Sequence, residues 1–320
     1  MTANRVAELP KNQDDSLAID WQDDPCPLCG EFNARPRIEA ADASPNTDEP
    51  SLTFLVVRCQ HCHLNYTNPR PAPDEMGRFY PADYKPHRRP RKLRQAKISS
   101  RWFGRKCPER KGVLPWTGPG RLLDFGCGGG SFLKRMADQG WDVVGLDAAV
   151  GAVRQVQEEL GLTGLVGTLP HPDLQPGSFE LVTMWHSIEH VHDPVGILRE
   201  AYRLLVPGGK IVIACPNIES WAFERFGANW FGLDVPRHLT HFTPTTLGLA
   251  LQTAGFRIET RRTIRHSDWL RSSAKRAATN DSTDTLAKML SWKPLAKLAA
   301  WWVHLWGGSD CLLFVAQRPA

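Results

Sequence analysis

No run of eighteen apolar residues occurs in this 320-residue chain, so no segment is expected to span a membrane. The opening stretch, MTANRVAELPKNQDD, lacks the apolar core of a secretory signal. The expected compartment is the cytoplasm, where thiols stay reduced and paired cysteines read as metal ligands. Neither charge sign dominates. The 39 Lys and Arg against 34 Asp and Glu leave a net charge of +5, which alone makes no case for nucleic acid. What is present is ordinary for a globular protein, with 42% hydrophobic and 23% charged residues. The length allows a large core and more than one domain. Twelve tryptophans is a high count, and four of them fall between 292 and 306.

Four of the eight cysteines come as CPLC (Cys26, Cys29) and CQHC (Cys59, Cys62). Two such pairs in a reducing compartment predict a tetrahedral zinc site, each pair gripping the metal from a tight turn. Gly30 supplies permissive backbone after the first pair. Four thiolates leave no open position for catalysis, so this metal is expected to be structural. Two unligated thiol pairs in a small core is the plain alternative, and His61 and His63 are competing ligands. Between the pairs, PRIEAADASPNTDEPSL reads as a polar surface loop and TFLVVRC as a strand. From Lys85 to Lys111, twelve Lys and Arg meet one acid. This is either a solvated connector or a surface for an anionic partner. The expected division is a flexible terminus (1–20), a zinc-binding module (21–84), a basic connector (85–117) and an α/β domain (118–320).

From Gly120 onward strands and helices alternate, which predicts a doubly wound α/β sheet of about seven strands. The strands are RLLDFG, WDVVGLD, LTGLVG, FELVTMWH, KIVIACPN, FRIETRRT and DCLLFVAQRP. DPVGILREAYRLLVPGG reads as a helix with a Gly-Gly stop. Thr243 and Pro244 open the helix TPTTLGLALQTAGF. In such sheets a ligand lies at the carboxyl ends of the strands, where LLDFGCGGGSFL turns from strand to helix. Ser131 stands where a dinucleotide fingerprint needs its third glycine, and Asp124 would repel a pyrophosphate. Asp147, ending the second strand, can accept hydrogen bonds from ribose hydroxyls. Adenosine with a cationic amino-acid tail fits, which is S-adenosylmethionine.

LLDFGCGGGSFL, VVGLD, FELVTMWHSIEHVHDP and LLVPGGKIVIACPN together resemble the motifs of class I S-adenosylmethionine-dependent methyltransferases. The resemblance covers about Gly120 to Thr263, with Cys311 to Arg318 as the final antiparallel strand. The cysteine pairs and the NPRP segment resemble a bacterial subgroup with a zinc-binding extension, which includes sugar C-methyltransferases. By this resemblance Asp124, Gly126, Cys127, Gly128 and Gly130 line the methionine and ribose part of the cofactor. Asp147 holds the ribose, Ala148 lies against adenine, and Trp185 and His186 border the sulfonium. The family's acid after the third strand is missing from GTLPHPD, so backbone at Thr168 and Leu169 is expected to meet adenine.

Methyl transfer also needs an aligned acceptor and often a base. HSIEH offers His186, Glu189 and His190, and DVPRHLTHFTP offers His238 and His241. Glu189-His190 matches a catalytic Glu-His pair of the sugar C-methyltransferases. His190 is expected to be the base, with Glu189, His238 and His241 assisting. The acceptor is expected to be a sugar, a nucleotide sugar or a lipid-linked quinol, methylated on carbon or oxygen. The Asn/Asp-Pro-Pro-aromatic turn of nucleic-acid amino-methyltransferases is absent, which counts against rRNA or tRNA as acceptor. A non-catalytic S-adenosylmethionine-binding protein is a further alternative. The insert 268–308 contains LAKMLSWKPLAKLAAWWVHLWGG, with Leu295, Leu298, Trp302 and Leu305 on one helical face and Pro294 near its start. It is either a cap over the cleft or a helix resting on the inner face of a membrane.

Overall fold

A computed structural model describes residues 19–42, 52–80 and 120–320. The expected connector, 85–117, lies outside the described residues, as does the terminus up to residue 18. The N-terminal part contains β1 (Trp21–Gln22), β2 (Ala34–Ala41), β3 (Thr53–Cys59), β4 (Asn65–Thr67) and β5 (Arg70–Pro71). The segment beginning PRIEAA, expected as loop, instead forms most of β2 and pairs antiparallel with β3. Its residues are mostly exposed, so the strand carries no apolar alternation for sequence reading to detect.

The α/β part holds the seven expected strands in one sheet. They are β6 (Arg121–Phe125), β7 (Asp142–Asp147), β8 (Thr163–Val166), β9 (Phe179–Trp185), β10 (Leu205–Pro216), β12 (Arg257–Ile264) and β13 (Cys311–Gln317). The order is β12-β13-β10-β9-β6-β7-β8. β13 runs antiparallel to β10 and β12, while the β8-β7-β6-β9-β10 pairings are parallel. The chain winds outward from β6 to β8 and then returns to β9 on the other side of β6. That reversal opens a crevice at the carboxyl ends of β6 and β9.

The helices are α1 (Ser131–Ala137), α2 (Val150–Arg154), α3 (Pro194–Leu204), α4 (Trp221–Phe226), α5 (Pro244–Thr253), α6 (Ser267–Asn280), α7 (Thr285–Leu290) and α8 (Lys293–Leu305). α2 continues as a π turn through Glu159. Thr243 caps α5 in a reciprocal pair with Thr246, and Pro244 follows it as expected. α3 ends before its expected Gly-Gly stop. Leu205 is already extended and pairs with Phe179, and Pro207 disfavours helix at Val206.

The N-terminal part packs against the α/β part. β11 (Thr240–His241) pairs with β4 and completes a sheet ordered β11-β4-β3-β2. Cys26, Cys59, Leu64 and Tyr66 share one buried cluster with Leu123, Val182 and Ile213 of the large sheet and with Phe242 just after β11. Arg237, fully buried, donates to Asp42 at 2.6 and 3.2 Å, to the Phe79 carbonyl at 2.8 Å and to Asp234 at 2.9 and 3.1 Å. Arg70 adds a second tie, donating to Asp24 at 2.7 Å and to the His192 carbonyl at 3.0 Å. The N-terminal residues therefore anchor both loops that carry the histidines.

Candidate active site and metal centre

The glycine loop turns sharply because three of its residues take left-handed backbone. Gly126, Gly128 and Gly130 have φ of +72°, +50° and +73°. A side chain at Gly126 would also meet Ser187 Cβ at 2.5 Å, so the loop lies directly against the end of β9. Ser187 fixes that approach by donating to the Phe125 carbonyl at 2.9 Å. Asp147 accepts from the Gly128 amide at 2.8 Å and the Ala149 amide at 2.9 Å. A carboxylate has about four lone-pair sites, so capacity remains for ribose hydroxyls. Asp124 is buried in β6 and accepts from Thr183 Oγ1 at 2.7 Å.

Other expected cofactor residues divide by orientation. The Cys127 side chain is buried and packs toward Gly145, so only its backbone is at the loop surface. Burial, with Asp124 and Asp147 nearby, pushes that thiol well above its usual range. Leu169 is buried in the main core and Thr168 is exposed, which leaves backbone rather than the Leu169 side chain for a ligand. Ala148 is exposed beside Asp147. Trp185 is half-buried, 5.3 Å from the Phe132 ring centre.

Beyond β9 the chain places three histidines around one carboxylate. Glu189 is 1% exposed, with His186 Nδ1 at 3.5 Å and His238 Nε2 at 3.9 Å from Oε1. Burial pushes its pKa up, but His186, His190 and His238 outweigh that and hold it below the usual value. The His190 and His238 rings meet edge-on at 4.7 Å. His190 Nδ1 lies 2.9 Å from the Arg237 carbonyl and 3.1 Å from the Tyr80 hydroxyl. A carbonyl can only accept, so Nδ1 carries the proton and Nε2 holds the lone pair. Burial, then His238, pulls the His190 pKa down to about 4, so the ring is neutral at pH 7.

His241 stands apart from this cluster. It is 2% exposed in β11, with Nε2 3.2 Å from Thr67 Oγ1 of β4. Thr67 donates its own proton to the His238 carbonyl, so the His241 ring donates to Thr67. This places His241, expected to assist His190, where β11 joins β4 in the N-terminal sheet, one step removed from Glu189. Sequence reading missed His266 and Trp269, at the start of α6. Trp269 packs 5.0 Å from the His186 ring and stacks on His266 at 4.8 Å. The first helix of the insert thus covers the cofactor end of the sheet. No local motif marks those residues.

The four N-terminal cysteines converge. Their sulfurs all lie within 4.8 Å of one another, with Cys26–Cys62 at 3.5 Å and Cys29–Cys59 at 3.6 Å. Tetrahedral zinc with bonds of about 2.3 Å requires sulfurs about 3.8 Å apart, which this set fits. Gly30 and His63 each follow a pair in left-handed backbone, at φ of +78° and +63°. His61 and His63 are exposed and stand outside the cluster. Burial raises the Cys29 thiol to about 11, since crowded sulfurs resist ionising without a cation.

A parallel sheet with one antiparallel strand, a glycine loop after its first strand and an acid at the end of its second is the class I methyltransferase architecture. A family model described as a methyltransferase domain matches residues 87–261, and the chain belongs to that family. Among curated proteins it is similar to the ubiquinone biosynthesis O-methyltransferase of Xanthomonas euvesicatoria pv. vesicatoria. Identity there is 35% over 151 residues, covering 43% of this chain and 63% of that one. The protein of the same name from Pseudomonas aeruginosa (strain UCBPP-PA14) is 30% identical over 151 residues, covering 43% and 65%. The chain thus spans a little under two thirds of the length of these relatives. Among solved structures, a Mesorhizobium loti S-adenosylmethionine dependent methyltransferase aligns at 22% identity and a TM-score of 0.46. It covers 69% of this chain and 99% of that one. A Haemonchus contortus phosphoethanolamine N-methyltransferase 2 gives 18% identity and a TM-score of 0.45, covering 66% and 51%.

Proposed function

We propose that the chain transfers a methyl group from S-adenosylmethionine to the hydroxyl of a small, lipid-linked aromatic acceptor, with His190 as proton acceptor. The observation that carries this reading is the neutral His190, its Nδ1 proton committed to the Arg237 carbonyl, beside a buried carboxylate at the cofactor end of the sheet. Asp124, Gly126, Gly128, Gly130, Asp147 and Ala148, with backbone at Cys127, Thr168 and Leu169, hold the cofactor. Trp185 and His186 border its sulfonium. The cofactor supplies an activated methyl on a cationic sulfur. Glu189 and His238 orient His190, and His241 positions their loop through Thr67. Oxygen is preferred over carbon because the curated relatives are named as O-methyltransferases.

Isothermal calorimetry tests the cofactor first. Asp147→Ala removes the acid that pins Gly128 and faces the ribose, a charge-assisted contact worth about 1.5–3 kcal/mol. Affinity for S-adenosylmethionine should fall about 10–150-fold. A wild type that binds NAD instead, or binds neither ligand, overturns the assignment. A labelled-methyl assay over quinols, sugar nucleotides and RNA then reads the acceptor. Labelling of RNA that fades steeply with salt would move the reading to nucleic acid.

The lipid-linked acceptor is supported by the far side of the insert. Among the described residues, twelve large hydrophobic side chains are exposed, and eight lie between Leu286 and Trp306. α8 buries Ala296 and Ala300 and turns Leu298, Trp301, Trp302 and Leu305 outward, within roughly a third of its circumference. Leu295, expected on that face, is half-buried. Residues 285–306 include Lys288, Lys293 and Lys297 and no acid. Tryptophan favours the lipid boundary, and each lysine contributes about 1 kcal/mol near anionic lipid. No helix among the described residues is long and apolar enough to cross a membrane, so the contact is peripheral. The chain should float with anionic liposomes, and Trp301→Ala/Trp302→Ala should stay at the bottom. Absence of flotation with both anionic and neutral vesicles would reject this surface.

A further inference from the structure

His186, His266 and Cys311 come from three separate elements, yet each places a ligand atom within 4.8 Å of the others. His186 ends β9, His266 precedes α6, and Cys311 opens β13. His186 Nε2 is 4.0 Å from Cys311 Sγ. The other face of the His186 ring supplies a second, independent observation. Its Nδ1 is 3.5 Å from Glu189, whose two carboxylate oxygens are buried and make no hydrogen bond among the described residues. Histidines that bind metal through one ring nitrogen commonly turn the other toward a carboxylate, which fixes the tautomer and raises ligand basicity. The glutamate is thus placed where a metal-bound histidine needs it.

We propose that His186, His266 and Cys311 form a second zinc site, with its fourth position open for an acceptor oxygen. Two imidazoles and a thiolate suit zinc and disfavour magnesium or calcium, which take oxygen ligands. Bonds of about 2.0 Å to nitrogen and 2.3 Å to sulfur set these atoms about 3.6 Å apart, so the His186–Cys311 gap closes by about 0.4 Å on binding. Three protein ligands leave one position, the pattern of a catalytic rather than a structural zinc. Trp269 lies against both imidazoles and shields one flank. The role for an acceptor oxygen rests on the methyl-transfer reading; the metal site itself does not. Glu189 is a positioning residue here, acting through His186.

Zinc content of the full-length chain, equilibrated with zinc and desalted, tests the site. The wild type should hold about two zinc ions per chain, one in the four-cysteine site. Cys311→Ser and His266→Ala should each hold about one, with S-adenosylmethionine affinity retained as a check on folding. Glu189→Gln should keep both sites but weaken the second about 10–100-fold against a competing chelator. One zinc in the wild type, or undiminished zinc in both His266→Ala and Cys311→Ser, overturns the proposal. Two zinc ions in a chain that binds no S-adenosylmethionine would leave the site standing and sink the methyl-transfer reading instead.

Discussion

With zinc in the four-cysteine site, Cys59→Ser is expected to release it and unfold the N-terminal sheet together with the loop that carries His238. Zinc bound by four thiolates contributes about 10–16 kcal/mol in small zinc domains, comparable to the whole stability of many domains. Cys59 is fully buried, ends β3, and sits 3.6 Å from Cys29. A hydroxyl there is a poor zinc ligand and leaves a buried polar group beside three sulfurs. The loss should spread, because Cys26 and Cys59 pack in the cluster that continues under the large sheet. Asp42, which the N-terminal sheet supplies to Arg237, would also be released. Metal analysis should find about one zinc fewer per chain. Thermal unfolding should show a large drop in Tm, matched by the wild type after strong chelation. A metal-free wild type of unchanged Tm would reject the structural zinc.

The parts legible in the sequence were those with a local signature. Most strands of the large sheet read as apolar runs, and residues 181–184 of β9 and 211–215 of β10 are buried. The two CxxC turns and the glycine loop read from spacing alone, because each needs left-handed backbone within a few residues. Features built by distant contacts left no such mark. β2 is mostly exposed, so its pattern resembled loop. β11 is two residues long and exists only because β4 offers an edge. Arg237 and Asp42 are separated by 195 positions, and nothing near either one predicts a buried pair. The same holds for His266, just before α6, and for Cys311, which β13 brings toward His186 by pairing with β10 although 125 positions separate the two. In α8 the sequence showed an apolar face, but only packing revealed that alanines face inward and tryptophans outward.

His190→Ala should slow methyl transfer by about 10²–10⁴-fold while leaving S-adenosylmethionine affinity unchanged. That loss corresponds to about 2.7–5.5 kcal/mol of transition-state stabilisation. The groups facing His190 set its protonation: Glu189, Asp234 and the Arg237 carbonyl favour the cation, while burial and His238 oppose it. The Tyr80 hydroxyl lies against the same Nδ1. Opposition wins and holds the pKa near 4, below the ordinary histidine value of 6.5. The acid limb of kcat/KM should therefore centre near pH 4, and His190 should impose no slope between pH 6 and 8. Folding follows the same shift. Between about pH 4 and 6.5 the unfolded chain binds the extra proton, so this residue's contribution to stability falls as pH falls through that window. His241→Ala should act differently, lowering Tm through the lost Thr67 contact. Its effect on rate should come through acceptor KM, because Thr67 also holds the His238 carbonyl. A His190→Ala enzyme with full kcat removes the residue from catalysis. One that loses cofactor affinity in step with rate makes it a support for the loop, carried by its bond to the Arg237 carbonyl.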